Sequence, residues 1–278
     1  MSKKKNFTQK IKSRDYYLSI DSTKIVLQNR KILSKFKEFS NEKEIKKSED
    51  FYGLGQNIQI VNKKMGYRMS NLDLLQLLSL SLSEKIIYTE IGVSVLKNFY
   101  LMANYLDNAE LYAFDRNEIY KNVEKEFTSK TRNGNVGMYK FNNNLITYFK
   151  GDVYSKDDWK ELAGLQKTKT NLIFSDADHS YEGIVFEYDH FYKENVADEF
   201  IIYFDDINSK TFPGLYKVTE LMNENRKNKI NCYTFLINGW MGKNRNQHRN
   251  AILTNVDIER FLKSKLTKLK DFRKIYPS

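Results

Sequence analysis

The sequence predicts an α/β fold in which a doubly wound, mostly parallel sheet of seven strands has an antiparallel last strand. Three observations predict it. Short apolar runs alternate with segments of helical spacing from about residue 71 onward, acidic residues follow five of those runs, and hydrophobic residues make up 41% of the 278 positions. That hydrophobic share supports a sizeable core and excludes a largely disordered chain.

The seven predicted strands are apolar runs bounded by polar residues, and they lie at 85–92, 109–115, 145–152, 171–178, 198–206, 231–239 and 248–255. Helical spacing follows each of the first five, at 95–106, 117–127, 155–165, 180–195 and 214–226. Such alternation indicates right-handed crossovers with helices on both faces of the sheet, which is a Rossmann-like arrangement. The basic segment 263–274 predicts a terminal helix.

Residues 1–70 differ from the rest and predict a basic tail followed by a mainly helical accessory segment, whereas residues 71–278 predict the main domain. Residues 22–39 have apolar positions at helical spacing. Ser70 or Asn71 stands where a cap would begin a leucine-rich helix. We expect the accessory segment to act as a lid over the ligand site or as the contact of a homo-oligomer.

The chain has no apolar run as long as a membrane span, and its basic start is not followed by the apolar stretch of a secretory signal. Cys232 is the single cysteine, so an internal disulfide is excluded. We therefore expect a cytoplasmic protein.

The charge balance leaves two interpretations open. Lys and Arg number 46 against 35 Asp and Glu, for a net charge of +11. The excess could serve an anionic partner such as nucleic acid, a nucleotide-sugar or a glycan. It could also reflect an AT-rich genome, because Lys, Asn, Ile and Tyr are all abundant. The scattered lysines, without a compact basic and aromatic stripe, favour the second interpretation.

Acidic residues close five of the predicted strands. In an open parallel sheet, ligands bind in the crevice beyond the carboxyl ends of the strands. One acid after a strand is often only a helix cap, but five in register indicate a ligand site. The acids are Glu90, Asp115, Asp152, Asp176 and the pair Asp205 and Asp206.

The first of these strand ends, "YTEIGVSVLKNF", resembles the first motif of class I S-adenosylmethionine-dependent methyltransferases, E-x-G-x-G-x-G. Glu90 and Gly92 match it, while Ser94 and Leu96 stand in place of the later glycines. A dinucleotide site would need G-x-G-x-x-G, which is missing.

Two further strand ends extend the resemblance. Asp115 stands where the family has an acid that holds both ribose hydroxyls, and Asp152 of "KGD" stands where the family contacts the adenine amino group. The resemblance thus implies an S-adenosylmethionine site formed by Glu90, Gly92, Asp115, Asp152 and Asp176.

The stretches "FSDADHSYEG" and "IIYFDDIN" resemble the divalent-metal-dependent O-methyltransferases, and most of all the branch of macrolide-sugar O-methyltransferases and cephalosporin-biosynthesis relatives. By this resemblance Asp176, Asp205 and Asp206 are the metal ligands and His179 is the general base. Hard anionic oxygens suit Mg²⁺. The prediction requires that these strand ends lie close together and that no buried lysine or arginine neutralises them.

The predicted function is therefore S-adenosylmethionine- and Mg²⁺-dependent O-methylation of a hydroxyl on a small molecule, sugar or glycan. An RNA methyltransferase or RNA-binding protein, suggested by the basic tails, stays open, as does a non-catalytic methyltransferase-like scaffold. Asp178 is either a helix cap or a support for the metal site. His248 is interpreted as structural or substrate-side, and Trp240 as a candidate for the acceptor pocket.

Overall fold

The structure is a computed structural model, and it describes residues 16–17, 20–35, 68–238, 247–259 and 268–275. Within these residues the strands form one mixed sheet with the order β1-β11-β9-β10-β8-β7-β2-β3-β6-β5-β4. The strands are β1 (Tyr16–Tyr17), β2 (Ile87–Ile91), β3 (Glu110–Asp115), β4 (Thr128–Asn133), β5 (Val136–Phe141), β6 (Asn144–Lys150), β7 (Thr170–Ser175), β8 (Val196–Phe204), β9 (Asn231–Asn238), β10 (Gln247–Thr254) and β11 (Lys268–Ile275).

All seven predicted strands are present, as β2, β3, β6, β7, β8, β9 and β10. Strands β6, β3, β2, β7 and β8 pair in parallel, and β10 lies antiparallel between β8 and β9. The predicted antiparallel last strand is therefore β10. Because the chain builds outward from β2 first to one side and then to the other, the strand order reverses between β2 and β7, where such sheets form a ligand crevice.

Within the part of the chain that the structure describes, the sheet has eleven strands, so the predicted count of seven is too low. Strands β4 and β5 form a hairpin on β6, and the helix predicted at 117–127 is reduced to the single turn Lys121–Glu124. The predicted terminal helix is also wrong over Lys268–Ile275, which pairs with β9 as β11. Strands β4 and β11 are rich in polar residues, so pairing rather than an apolar sequence pattern determines their conformation.

The helices are α1 (Ile20–Ser34), α2 (Asn71–Ser79), α3 (Lys97–Tyr105), α4 (Lys121–Glu124), α5 (Lys156–Leu165), α6 (Tyr181–Glu187), α7 (Lys193–Asn195) and α8 (Phe212–Asn225), with a π-helical turn at Tyr188–Tyr192. Ser70 caps α2 and Ser155 caps α5, each accepting a hydrogen bond from a backbone N–H three residues on. Ser70 is one of the two cap candidates that the sequence offered for α2.

The core has two parts, one on each face of the sheet, because successive strand residues point to opposite faces. Tyr88 of β2 packs with Leu75 of α2 and Phe99 of α3. Ile91 of the same strand packs in the other part, with Trp159 of α5. Every residue of α2 is buried, so this helix forms an inner layer rather than a surface layer.

Within residues 1–70, the structure describes α1, β1 and the residues that lead into α2. Helix α1 packs on α2, where Asn29 donates hydrogen bonds to Asp73 Oδ1 (2.6 Å) and Gln76 Oε1 (2.7 Å). The rest of the predicted accessory segment and most of the basic tails lie outside the described residues. No described helix is long and apolar enough to cross a membrane.

Candidate functional site

A cavity of about 570 Å³ opens at the carboxyl ends of the parallel strands. All eight predicted site residues line it, although this placement does not establish the role of any of them. They are Glu90, Gly92, Asp115, Asp152, Asp176, His179, Asp205 and Asp206. The cavity also has lining residues that the sequence analysis did not propose, namely Asn71, Lys97 and Asn98.

Gly92 permits two strand ends to touch. Its φ is +81°, and a Cβ atom there would lie 2.5 Å from the carbonyl oxygen of Asp176 and 2.8 Å from Cα of Ala177. Ser94 and Leu96, which replace glycines of the resembled motif, keep a left-handed backbone with φ of 47° and 59°. The loop therefore keeps the shape that glycines would permit, at a cost of roughly 1–2 kcal/mol for each such residue.

Asp115 is held with its carboxylate facing the cavity wall. Its Oδ2 accepts a hydrogen bond from the Ser94 N–H (2.8 Å), and its Oδ1 accepts from the Asn117 N–H (2.8 Å) and side-chain amide (3.0 Å). These donors orient the carboxylate from two loops. Since an ionised carboxylate has about four acceptor sites, capacity remains for a ligand's hydroxyl.

Asp152 begins the turn after β6 and is exposed. Its Oδ1 accepts from the Tyr154 N–H (3.0 Å), and its own N–H donates to Asp158 Oδ2 (2.6 Å). The turn thereby places Val153 and Tyr154 in the cavity wall.

Glu90 is buried, with only 1% of its surface exposed, and its Oε2 accepts a 2.6 Å hydrogen bond from the Tyr88 hydroxyl. Burial raises the pKa of Glu90 to about 8, against the opposing effects of Tyr88 and Lys97. A large share of Glu90 therefore carries a proton near neutral pH.

The first turn of α3 also faces the cavity. Its N-cap residue, Leu96, makes no side-chain capping bond, so the N-terminal N–H groups have no side-chain cap. Asn98, at the second helical position, is 8% exposed and lines the cavity, and its Oδ1 is buried without a hydrogen-bond partner. This acceptor is therefore open to a hydrogen bond from a water or from a ligand in the cavity.

Asp205, Asp206 and His248 form the one group of described residues whose ligand atoms all lie within 4.8 Å, close enough to hold a metal ion. His248 Nδ1 is in contact with Asp206 Oδ1, while Nε2 has no hydrogen-bond partner and lies 3.5 Å from Asp205 Oδ1. Burial lowers the pKa of His248, but the carboxylates of Asp206 and Asp205 outweigh it and leave the pKa above its ordinary value.

His248 was interpreted from sequence as structural or substrate-side, and the structure places it beside Asp205 and Asp206, two of the predicted metal ligands. The missed signal is topological. Strand β10 is antiparallel to β8, with Ala251 opposite Phe204, so the start of β10 lies beside the residues that follow β8. A histidine at the start of the antiparallel strand is therefore delivered to the same edge as the acids that end the parallel strands.

Asp176 and His179 form the neighbouring part of the edge. His179 Nε2 lies 3.5 Å from Asp176 Oδ1, and the Thr211 hydroxyl donates to the His179 carbonyl oxygen (2.9 Å). The Asp176 N–H donates to the Ile91 carbonyl (2.8 Å), which ties this loop to β2. Both predicted residues thus face the cavity together, with about a third of each side chain exposed.

A buried lysine stands within this acidic group. Lys97, the first residue of α3, is 7% exposed, and its charge interacts with those of Asp176, Asp205 and Glu90. The condition set by the sequence analysis is therefore only partly met. Partial burial, with 29% of the side chain exposed, raises the pKa of Asp176 above its ordinary value, and the charges of Asp205, Glu90 and Asp206 add to the rise despite Lys97.

Asp178 serves as a local support. It accepts hydrogen bonds from Ser180 Oγ (2.5 Å) and from the Tyr154 hydroxyl, and Ser180 in turn caps α6 through the Gly183 N–H (2.9 Å). Asp178 therefore joins the loop after β7 to the loop after β6. Trp240 lies outside the described residues.

The comparisons with known proteins give only distant matches. No family model and no curated protein matches the chain. Among solved structures, the O-methyltransferase TomG of Streptomyces achromogenes, involved in tomaymycin synthesis and solved with SAM, has a TM-score of 0.46 and 14% identity over 65% of this chain and 77% of that chain.

A putative O-methyltransferase from Klebsiella pneumoniae has a TM-score of 0.43 and 12% identity, covering 85% of this chain and 90% of that chain. The plantazolicin methyltransferase BpumL, solved with SAH, has a TM-score of 0.42 and 12% identity, covering 84% and 97%. At these TM-scores and identities, the matches show neither a family nor an activity for this chain.

Proposed function

We propose that this protein is an S-adenosylmethionine-dependent O-methyltransferase that uses a divalent cation. The observation that carries the proposal is the convergence, in one cavity, of three aspartates and two histidines beside a wall suited to an adenosyl amino acid. Neither group of residues alone is specific. Their placement at the reversal point of a parallel sheet favours a site that binds two substrates.

The donor would lie along the wall formed by the first three parallel strands. The oriented carboxylate of Asp115 suits the paired hydroxyls of a ribose, and the turn at Asp152 supplies a pocket edge for the base. The partnerless Asn98 Oδ1 suits the ammonium of the methionine end, and the uncapped start of α3 suits its carboxylate. The buried polar atoms present therefore fit this donor.

The cation would be held by Asp205, Asp206 and His248, with Asp176 on the adjoining strand end. With Asp176, Asp205 and Asp206 ionised and Lys97 protonated, these four side chains carry two negative charges, which a divalent cation would balance. The donor set of carboxylates with one imidazole suits Mg²⁺ or Mn²⁺. A bound cation supplies Lewis acidity that lowers the pKa of an acceptor hydroxyl.

His179 is the proposed general base. Asp176 stands 3.5 Å from its Nε2 and would stabilise the imidazolium formed when the hydroxyl proton is taken. The acceptor oxygen then forms its bond to the donor methyl carbon as the carbon–sulfur bond breaks, and the sulfur leaves as a neutral thioether. Two oppositely charged reactants thus become neutral, which a water-poor cleft favours once both are held in line.

For the acceptor we propose a hydroxyl on a sugar, a glycan or a glycosylated small molecule. This choice rests on the resemblance of "DADHSYEG" to the sugar-modifying branch. The exposed ring of Tyr154, in the cavity wall, gives such an acceptor an apolar face to pack on. A homo-oligomer and a cytoplasmic location stay predictions. So does RNA binding, since the basic tails lie mainly outside the described residues.

The test is donor binding and methyl transfer in His179→Ala, with His190→Ala as the matched control. His190 packs against the Phe186 ring (4.2 Å) and does not line the cavity. We expect His179→Ala to lose turnover of a sugar-hydroxyl panel with Mg²⁺ while S-adenosylmethionine affinity is kept, and His190→Ala to keep both. Full turnover in His179→Ala would remove that residue from the mechanism. Absence of donor binding in the wild type would overturn the proposed function.

A further inference from the structure

Two side-chain amides donate hydrogen bonds to the Asp205 carboxylate, one to each oxygen. Asn71 Nδ2 donates to Oδ2 (3.0 Å), and Asn250 Nδ2 donates to Oδ1. Asn71 is the first residue of α2, whereas Asn250 lies on β10. Both amides are at least nine-tenths buried, as is Asp205 itself, so these bonds are shielded from water.

The orientation of the Asn71 amide is fixed by its own helix. Its Oδ1 accepts the N–H of Leu72 (2.8 Å), which leaves only the NH₂ group to face Asp205. An amide that donates one hydrogen bond occupies one acceptor site of Oδ2 and leaves another for a cation. The geometry therefore restrains the carboxylate without occupying it.

Helix α2 is in turn anchored to α1. Asn29 of α1 donates to Asp73 (2.6 Å) and Gln76 (2.7 Å), and Gln76 Nε2 donates to the Leu101 carbonyl of α3 (3.1 Å). Asp73 also accepts the Ser70 N–H (2.8 Å), which completes the cap immediately before Asn71. A continuous run of buried hydrogen bonds thus connects the N-terminal helix to the helix end that carries Asn71.

We propose that Asn71 is a positioning residue that fixes the Asp205 carboxylate for cation binding, and that helix α1 holds Asn71 in place through Asn29. The inference rests on the proposed cation site. It also assigns a role to helix α1, which helps to hold the proposed metal ligand Asp205 in position. A neutral amide suits this role, because a lysine or arginine there would cancel the charge that attracts the cation.

The experiment measures Mn²⁺ affinity by titration calorimetry in the full-length protein. In Asn71→Ala we expect binding about 10- to 100-fold weaker, the usual effect of removing a hydrogen-bond partner of a metal ligand. Asn71→Ser is the milder variant if alanine prevents folding, and it should weaken binding in the same direction.

Asn144→Ala is the matched control for loss of a buried asparagine. Asn144 is 1% exposed and bonds only to backbone groups, Ala103 O, Leu106 O and the Ala109 N–H, outside the cavity wall. It should lower the melting temperature and leave Mn²⁺ affinity unchanged. If Asn71→Ala and Asn144→Ala lower affinity equally, the effect is general destabilisation and the positioning role is overturned.

The Asn29→Ala variant tests the role assigned to α1. We expect Mn²⁺ binding to weaken, by less than in Asn71→Ala, because α2 keeps its own cap. Wild-type affinity in Asn29→Ala would overturn the part assigned to α1. Wild-type affinity in both Asn71 variants would overturn the positioning role while the cation site stands, whereas a wild type that binds no Mn²⁺ would refute the cation site itself.

Discussion

Replacing Gly92 by alanine tests the close contact between the first parallel strand and the strand that carries Asp176. The new Cβ would lie 2.5 Å from the Asp176 carbonyl oxygen, 2.7 Å from its carbonyl carbon and 2.8 Å from Ala177 Cα. All three are backbone atoms, so no side chain can rotate away. They must move by about 0.6 to 0.9 Å to reach the ordinary contact distance of 3.4 Å.

Two effects add to the cost of Gly92→Ala. Placing alanine at a φ of +81° costs roughly 1–2 kcal/mol, and overpacking against a fixed backbone costs about 1–3 kcal/mol more. We expect a loss of about 3 kcal/mol, which lowers the melting temperature of a domain of this size by roughly 10 °C. Because the displaced peptide carries Asp176, donor and cation affinity should fall as well.

Gly134→Ala isolates the conformational effect. Gly134 has a φ of +55°, and a Cβ atom there would meet nothing within 4 Å. It should therefore cost only the roughly 1–2 kcal/mol of the left-handed backbone and leave ligand affinity unchanged. Thermal unfolding and S-adenosylmethionine titration of both variants give the comparison. Equal losses of stability in the two would refute the steric contact that the structure assigns to Gly92.

Three further outcomes follow from the strained loop, a buried acid and the buried lysine. Ser94→Gly should raise the melting temperature, because glycine adopts the φ of 47° without strain. Leu96→Gly should lower the melting temperature, because removing a fully buried leucine side chain costs about 2–5 kcal/mol, which exceeds the backbone strain that is relieved. A rise of the melting temperature in both variants would contradict the burial of Leu96. Burial raises the pKa of Glu187 to about 7, so the folded protein holds a proton that the unfolded chain releases near pH 4.5. The free energy of unfolding should therefore fall as pH rises between these two values, by at most about 1.4 kcal/mol per pH unit. Melting curves of Glu187→Gln from pH 5 to 8 should show a shallower fall than the wild type, and parallel curves would contradict this assignment. Lys97→Met should lower the melting temperature of the metal-free protein and tighten Mn²⁺ binding in calorimetry, because it removes a positive charge that competes for the same carboxylates. Unchanged Mn²⁺ affinity would place the Lys97 ammonium away from the proposed cation site.

The central strands could be predicted because a strand that is buried on both faces needs apolar residues at successive positions. Runs such as the one ending at Asp176 are continuous apolar segments, and parallel pairing brings their carboxyl ends to one edge. The shared cavity of the eight predicted site residues follows from that rule. Strand β4 has no such apolar run, since "TSKTRN" is exposed along its length and is held by pairing with β5.

The cavity residues that the sequence did not predict depend on how strands and helices are oriented in the fold, rather than on a local sequence pattern. His248 was within reach of sequence reasoning, because an antiparallel last strand must begin at the edge where the parallel strands end. Asn71 and Lys97 were not. Each is the first residue of a helix, and whether such a residue faces the cavity depends on how that helix crosses the sheet.

The site combines two kinds of support that differ in charge. Lys97 offsets one negative charge, because its ammonium interacts with the charges of Asp176 and Asp205. Asp205 is instead held by the neutral amides of Asn71 and Asn250, which orient it and add no charge. A second positive charge in place of either amide would weaken the attraction of the proposed site for a divalent cation. Two amides thus hold the Asp205 carboxylate, and one lysine lies beside the acidic group. Such an arrangement would let the site stay folded when it is empty and still bind a doubly charged ion.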